Sequence, residues 1–215
     1  MINYNTVKAV IFDLDGVLVD TAIYHFQAWH RLAEGLGYSF SIVDNEQLKG
    51  VSRIESLELI LKWAGLKKSK TEKEELLRQK NLWYLELIEQ LSPAHLLSGS
   101  LDLLEKLREK GIKIALGSAS KNALGILEKT GIVGYFDALI DGNAVQLSKP
   151  NPEVFLKGAE ALGTAAAYCL VLEDAQAGID AARAAGMQVI GVGQAENLKG
   201  ADLVVADLGT LVDKF

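Results

Sequence analysis

Apolar positions fall into three patterns along the chain. The first is a short continuous run, Val7-Lys8-Ala9-Val10-Ile11-Phe12, mostly apolar and partly β-branched. It reads as a buried strand of a parallel sheet. The run stops at Asp13-Leu14-Asp15-Gly16. The second pattern covers Thr21 to Leu91 and has helical period. Tyr24, Ala28, Leu32 and Leu36 share one stripe of a helix from about Ala22 to Leu36, with His25 and Trp29 four apart on a neighbouring face. Gly35 and Gly37 mark its exit. A short helix begins around Asp44 to Gln47. Ser52 with Glu55 forms a capping box that opens a helix from Arg53 to Ala64, closed by Gly65. Thr71 with Glu74 is a second box, opening a helix to about Leu91. The Lys67 to Lys70 run between them reads as a solvated loop.

The third pattern starts at Ser100 and alternates. Helices are expected over 100–110, 122–130, 152–162 and 176–185, and strands over 112–116, 138–140, 168–172, 189–192 and 203–205. Strands alternating with helices imply βαβ units and a Rossmann-like parallel sheet covered on both faces. Leu208 to Phe215 is expected to be a terminal helical turn that frays. The fold class is therefore α/β, with a helical segment inserted after the first strand. The expected division is a core of 1–18 and 93–215 and an insert of 19–92.

Composition narrows the function more than the fold. The 215 residues are 49% hydrophobic and 23% charged, as in soluble globular proteins. A net charge of -6 argues against a nucleic-acid partner, which calls for basic stripes. No apolar stretch approaches the ~20 residues that span a bilayer, so no membrane partner is expected. The N-terminal Met1-Ile2-Asn3-Tyr4-Asn5-Thr6 lacks a signal pattern, and a cytoplasmic location is expected. The one cysteine, Cys169, falls in an apolar strand and reads as a buried residue.

Four strand ends carry candidate chemistry. Asp13 and Asp15 are two apart, so on extended backbone both leave one face, and Gly16 then lets the chain turn. Like charges held so close repel, and a divalent cation would offset the cost. Ser118 follows the second strand, where a hydroxyl and backbone amides can bind an anion. Lys149 precedes Pro150, which holds it on an extended loop, and Pro152 suits a first helical turn. Glu173 and Asp174 close the 168–172 strand. Taken singly, these have plainer readings: solvated strand-end acids, an N-cap serine, a loop lysine.

The four together, in this order, resemble the haloacid dehalogenase superfamily of phosphotransferases, and the resemblance runs over the whole chain. It implies a catalytic set of Asp13 as nucleophile, Asp15 as general acid/base, Ser118 on the phosphoryl oxygens and Lys149 as charge neutraliser. It also implies Mg²⁺ held by Asp13, the main-chain carbonyl of Asp15, Glu173 and Asp174. An insert after the first strand is, in that superfamily, a cap that closes over the site.

Further stretches are similar to those of the superfamily's sugar-phosphate mutases. They are Val19-Asp20-Thr21-Ala22 with His25 and Trp29, Leu48-Lys49-Gly50-Val51-Ser52-Arg53 with Ser56, Lys80-Asn81, and Ser118-Ala119-Ser120-Lys121-Asn122. The resemblance implies that Arg53 grips the phosphate that does not transfer, helped by Ser52 and main-chain amides. His25 and Lys80 would couple substrate binding to cap closure. Thr21, Trp29, Lys49, Gly50, Val51, Ser56, Ala119, Ser120 and Asn122 complete the implied substrate site. Without it, His25 and Trp29 read as packing residues and Lys80 as a solvated lysine. His30 and His95 match nothing catalytic. The implied activity interconverts β-D-glucose 1-phosphate and glucose 6-phosphate through an aspartyl-phosphate enzyme and glucose 1,6-bisphosphate. The alternatives are a small sugar-phosphate phosphatase sharing every core residue and a non-catalytic phosphosugar-binding module. A monomer is expected.

Overall fold

The computed structural model describes residues 2–215. Its centre is a six-stranded sheet of β1 (Ala9–Phe12), β2 (Lys113–Gly117), β3 (Ala138–Ile140), β4 (Cys169–Glu173), β5 (Gln188–Val192) and β6 (Leu203–Val205). The spatial order is β3-β2-β1-β4-β5-β6 and every pairing is parallel. All four residues of β1 are fully buried, which is why that run is continuously apolar rather than alternating. Its side chains still alternate between layers. Val10 and Phe12 pack on one face with Leu103, Leu107 and Ile126. Ala9 and Ile11 pack on the other with Phe155, Ile179 and Ala182. Those partners belong to α5 (Ser100–Glu109), α6 (Ala123–Thr130), α7 (Glu153–Ala161) and α8 (Gln176–Ala184).

Chain order reverses beside β1: the chain runs outward through β2 and β3, then returns to β4 on the opposite side. In open parallel sheets ligands bind outside the carboxyl ends of the strands at such a point. Both acid pairs lie there.

The insert comprises α1 (Ala22–Gly35), α2 (Ile42–Glu46), α3 (Arg53–Trp63) and α4 (Lys70–Ile88). It has its own apolar cluster, built on Trp29, Leu32, Phe40, Leu57, Ile60 and Leu61. A second seam joins it to the core, where Ala28, Tyr84 and Ile88 pack with Leu18 and Leu91. On α4 the buried residues Lys80, Tyr84 and Ile88 are four apart, so one face of this long helix looks at the core.

Three local expectations are corrected. α4 begins at Lys70, with Ser69 and Glu72 rather than Thr71 and Glu74 forming its capping box, and it ends at Ile88 rather than Leu91. Both boxes fit the pattern, but Ser69 is the residue with extended backbone, and Lys68 adds an ion pair to Glu72 at 3.0 Å. α2 starts earlier than expected, capped by Ser41 with Asp44 in place of the usual Glu. The terminal turn does not hang free: Leu208 and Leu211 are each 1% exposed and pack into the core.

Candidate active site

Asp13 continues the line of β1, its N–H donating to Leu172 O at 2.9 Å, so it is held in register with β4. Lys149 Nζ donates to Asp13 Oδ1 at 2.6 Å and to Glu173 Oε1 at 2.6 Å. The second oxygen of Glu173 accepts from Ala175 N at 2.7 Å. Lys149 and Glu173 are essentially inaccessible, at 1% and 0%. Burial works against the lysine's charge, but Asp13 and Glu173 outweigh it and hold its pKa well above the usual lysine range. The ammonium therefore stays charged between its two carboxylates. Breaking such a buried set from one side is costly, about 3–5 kcal/mol.

Asp15 sits across the turn made by Gly16, whose φ is +80°. Gly16 N donates to Val19 O at 3.0 Å, which folds Thr21 back so that its hydroxyl donates to Asp15 Oδ1. Burial and the neighbouring charge of Asp13 push the Asp15 carboxyl up to about 6, against the pull of Thr21, Lys80 and Lys149. That is the range a group needs to give and take a proton near neutral pH.

His25 Nε2 lies 3.7 Å from Asp15 Oδ1. Burial, with the positive charges of Lys80 and Arg53, holds the imidazole pKa well below normal, so the ring is neutral. Lys80 Nζ is 3.0 Å from His25 Nδ1. In its charged form Lys80 can only donate, which makes Nδ1 the acceptor and puts the ring proton on Nε2, facing Asp15. Lys80 is itself buried over the rings of Trp29 and Tyr84, at 4.6 and 4.8 Å. Burial and Arg53 lower its pKa to about 7, against Asp15.

Asp13, Glu173 and Asp174 each offer a carboxylate oxygen, all within 4.8 Å of one another. Burial raises the pKa of both Glu173 and Asp174, and their mutual proximity adds to it at Asp174. Three hard oxygen donors, crowded and short of positive charge, fit a divalent cation such as Mg²⁺ or Ca²⁺. The Asp15 carboxylate stands apart from this cluster, turned to Thr21 and His25.

A cavity of about 330 Å³ lies between sheet and insert. From the core it is lined by Asp13, Asp15, Ser118, Ala119, Ser120, Asn122 and Asp174, and from the insert by His25, Trp29, Lys49, Gly50, Val51, Ser52, Arg53, Ser56 and Lys80. Three other sequence candidates, Thr21, Lys149 and Glu173, do not line it: Thr21 bonds Asp15, and Lys149 bonds Asp13 and Glu173. Ser118 is not the N-cap of α6; Asn122 holds that position. Its N–H donates to Ile140 O at 3.0 Å and its hydroxyl accepts from Ser120 N at 3.1 Å, which fixes the turn after β2. Ser52 caps α3, accepting from Glu55 N and donating to Glu55 Oε2 at 2.8 Å. Lys49 pairs with Glu46 at 3.2 Å and Asp174 at 3.3 Å.

The sequence reading missed one wall and two crossings. The segment after β3, including Gly142, Val145 and Leu147, lines the cavity. Nothing in its composition announces a site. Asn122 Nδ2 donates to Asn81 Oδ1 at 3.1 Å, and the Ser148 hydroxyl donates to Glu55, so α4 and α3 are both tied to core loops. The half-formed box at Ser52 was the available signal: a Glu at that position can serve either its own helix or a neighbour.

A Rossmann-like sheet with acids at two strand ends, a lysine bridging them and a helical cap over the cleft defines a phosphotransferase of the haloacid dehalogenase type. The family model described as haloacid dehalogenase-like hydrolase matches residues 7–186, and the chain belongs to that family. A Bacillus subtilis protein, "Beta-phosphoglucomutase", is 47% identical over 95% of this chain and 91% of its own length. The crystal structure of β-phosphoglucomutase from Clostridium difficile superimposes with a TM-score of 0.92 at 43% identity, covering 95% of this chain and 93% of that one. A Thermotoga maritima protein, "Phosphorylated carbohydrates phosphatase", is 32% identical over 85% of this chain and 83% of its own. The family and the acid cluster together imply a divalent metal.

Proposed function

We propose that this enzyme interconverts β-D-glucose 1-phosphate and glucose 6-phosphate, with Mg²⁺ as its metal and glucose 1,6-bisphosphate as intermediate. The observation that carries this reading is Arg53. Among the described residues no acid lies within ion-pair distance of its guanidinium, although it lines the cavity and is half-buried. Burial lowers its pKa. Arginine suits a bidentate grip on phosphate. The cavity then has two phosphate ends, and a mutase must hold a phosphate at both.

In this reading Asp13 Oδ attacks phosphorus and becomes the aspartyl phosphate. Asp15 gives a proton to the departing sugar oxygen and later takes one from the attacking hydroxyl. Lys149 holds Asp13 in place and offsets charge on the transferring group, while the Ser118 hydroxyl and the adjoining amides receive its oxygens. Asp13, Glu173, Asp174 and the main-chain carbonyl of Asp15 would hold the metal, which supplies positive charge beside the reacting phosphoryl. His25 and Lys80 orient Asp15 from the cap side. The bisphosphate must turn round between the two transfers, so the cap, residues 19–92, opens and closes each cycle.

Arg53→Ala tests the two-ended site. Loss of one charge-assisted phosphate contact costs roughly 1.5–3 kcal/mol, or about ten- to a hundredfold in kcat/KM on phosphosugars. Acetyl phosphate, which has no second end, should be hydrolysed almost as before. An equal fall in both activities would reduce Arg53 to a folding or closure role.

A further inference from the structure

Lys49 is the one cation of the cap that reaches the metal acids. Its ammonium lies 3.3 Å from Asp174 Oδ2 and 3.2 Å from Glu46 Oε1, bridging cap to core. Asp174 is in turn one of the three acids grouped within 4.8 Å. The approach is set by the next residue. Gly50 has φ +72°, and a Cβ there would come within 3.3 Å of Ala175 Cβ and 3.6 Å of Lys149 Cδ. The positive φ and the tight approach to Ala175 both favour glycine where the cap loop meets the turn after β4.

We infer that Lys49 is an internal competitor for the metal: it neutralises Asp174 when the cap closes on the metal-free enzyme, and metal binding must displace it. The inference rests on the reading of Asp13, Glu173 and Asp174 as the metal ligands. Electrostatics set the two occupants against each other: the Lys49 ammonium, 3.3 Å from Asp174 Oδ2, repels a divalent charge brought to the same carboxylate. Glu46 gives the displaced ammonium a partner within the cap, so expulsion does not strand a charge. Because linkage is reciprocal, metal weakens the Lys49 tie between cap and core, and that tie weakens metal binding. The metal-free enzyme is thereby held closed, and metal loading releases the cap for the phosphosugar.

The test is the affinity of the intact enzyme for Mg²⁺ alone, by isothermal titration calorimetry without sugar phosphate. Lys49→Met should bind Mg²⁺ about five- to tenfold more tightly than wild type. Lys49→Arg, which keeps the charge, should stay within about twofold of wild type. Circular dichroism of both variants checks that the fold is kept. Equal or weaker binding by Lys49→Met, with wild type binding normally, would overturn the inference and leave the metal site standing. Absence of Mg²⁺ binding by wild type would instead overturn the assignment of the metal acids, and the inference with it.

Discussion

The two ends of the cavity are built on opposite plans. At the core end a cation is already paired before any ligand arrives: Lys149 lies 2.6 Å from both Asp13 and Glu173, and all three are buried. At the cap end Arg53 is half-buried with no acid beside it among the described residues, on a helix whose N-cap, Ser52, is occupied with Glu55. A network that is already satisfied fixes geometry, and electrostatic catalysis benefits from groups that need not move during the reaction. A cation left over selects what it will bind. On the proposed function the strand ends would set the reaction type, and the cap the choice among phosphorylated substrates.

The comparison can be broken most severely at the core end. Asp13→Asn should abolish phosphoenzyme formation, read by intact-protein mass spectrometry or acid-quenched ³²P labelling, while circular dichroism stays native. Appreciable turnover would end its assignment as nucleophile. Asp15→Asn should slow turnover about 10²-fold or more, the range for loss of a general acid/base. It should still bind Mg²⁺, because its side chain lies outside the acid cluster. A variant that keeps its rate and loses the metal would exchange the two roles.

A smaller effect sharpens the electrostatics. The Asp15 carboxyl stands near 6 in the fold, above the ordinary carboxylate value of 3.8. Folding thus favours its neutral form: the stability it contributes is complete below about pH 4 and is lost as pH rises through 6. Asp15→Asn removes that loss. In EDTA the variant should be more stable than wild type by about 1–3 kcal/mol at pH 7.5, and the gain should shrink towards zero near pH 4. Thermal denaturation at both values checks this, and a gain independent of pH would point to packing instead. The smallest expected effect concerns the crossing at Asn81. Asn81→Ala removes one cap–core hydrogen bond at 3.1 Å. It should cost about 0.5–1.5 kcal/mol of closure, read as a two- to tenfold rise in KM for the phosphosugar without a matching fall in turnover of acetyl phosphate.

Most of the core end was legible in the amino-acid order. Each of its acids ends a strand that is apolar on both faces, and such strands announce themselves without periodicity. The cap was harder. Its helices are amphipathic, but a capping box can be written twice within three residues, as Ser69–Glu72 and Thr71–Glu74 are, and only backbone geometry decides between them. The ties from Glu55 to Ser148 and Asn81 to Asn122 join residues far apart in sequence, and no local pattern reports such a pairing. The same holds for Lys49: its place in the loop before α3 is plain, but the acid it meets lies on the turn after β4.

The central claim is that both ends of the cavity hold phosphate in turn. It is tested most directly by ³¹P NMR of the purified enzyme with Mg²⁺, β-glucose 1-phosphate and a trace of glucose 1,6-bisphosphate. The account predicts that the glucose 1-phosphate signal gives way to glucose 6-phosphate, with the bisphosphate maintained and little inorganic phosphate released. Accumulation of inorganic phosphate in step with loss of substrate would contradict it, and would make the enzyme a phosphatase with the same core.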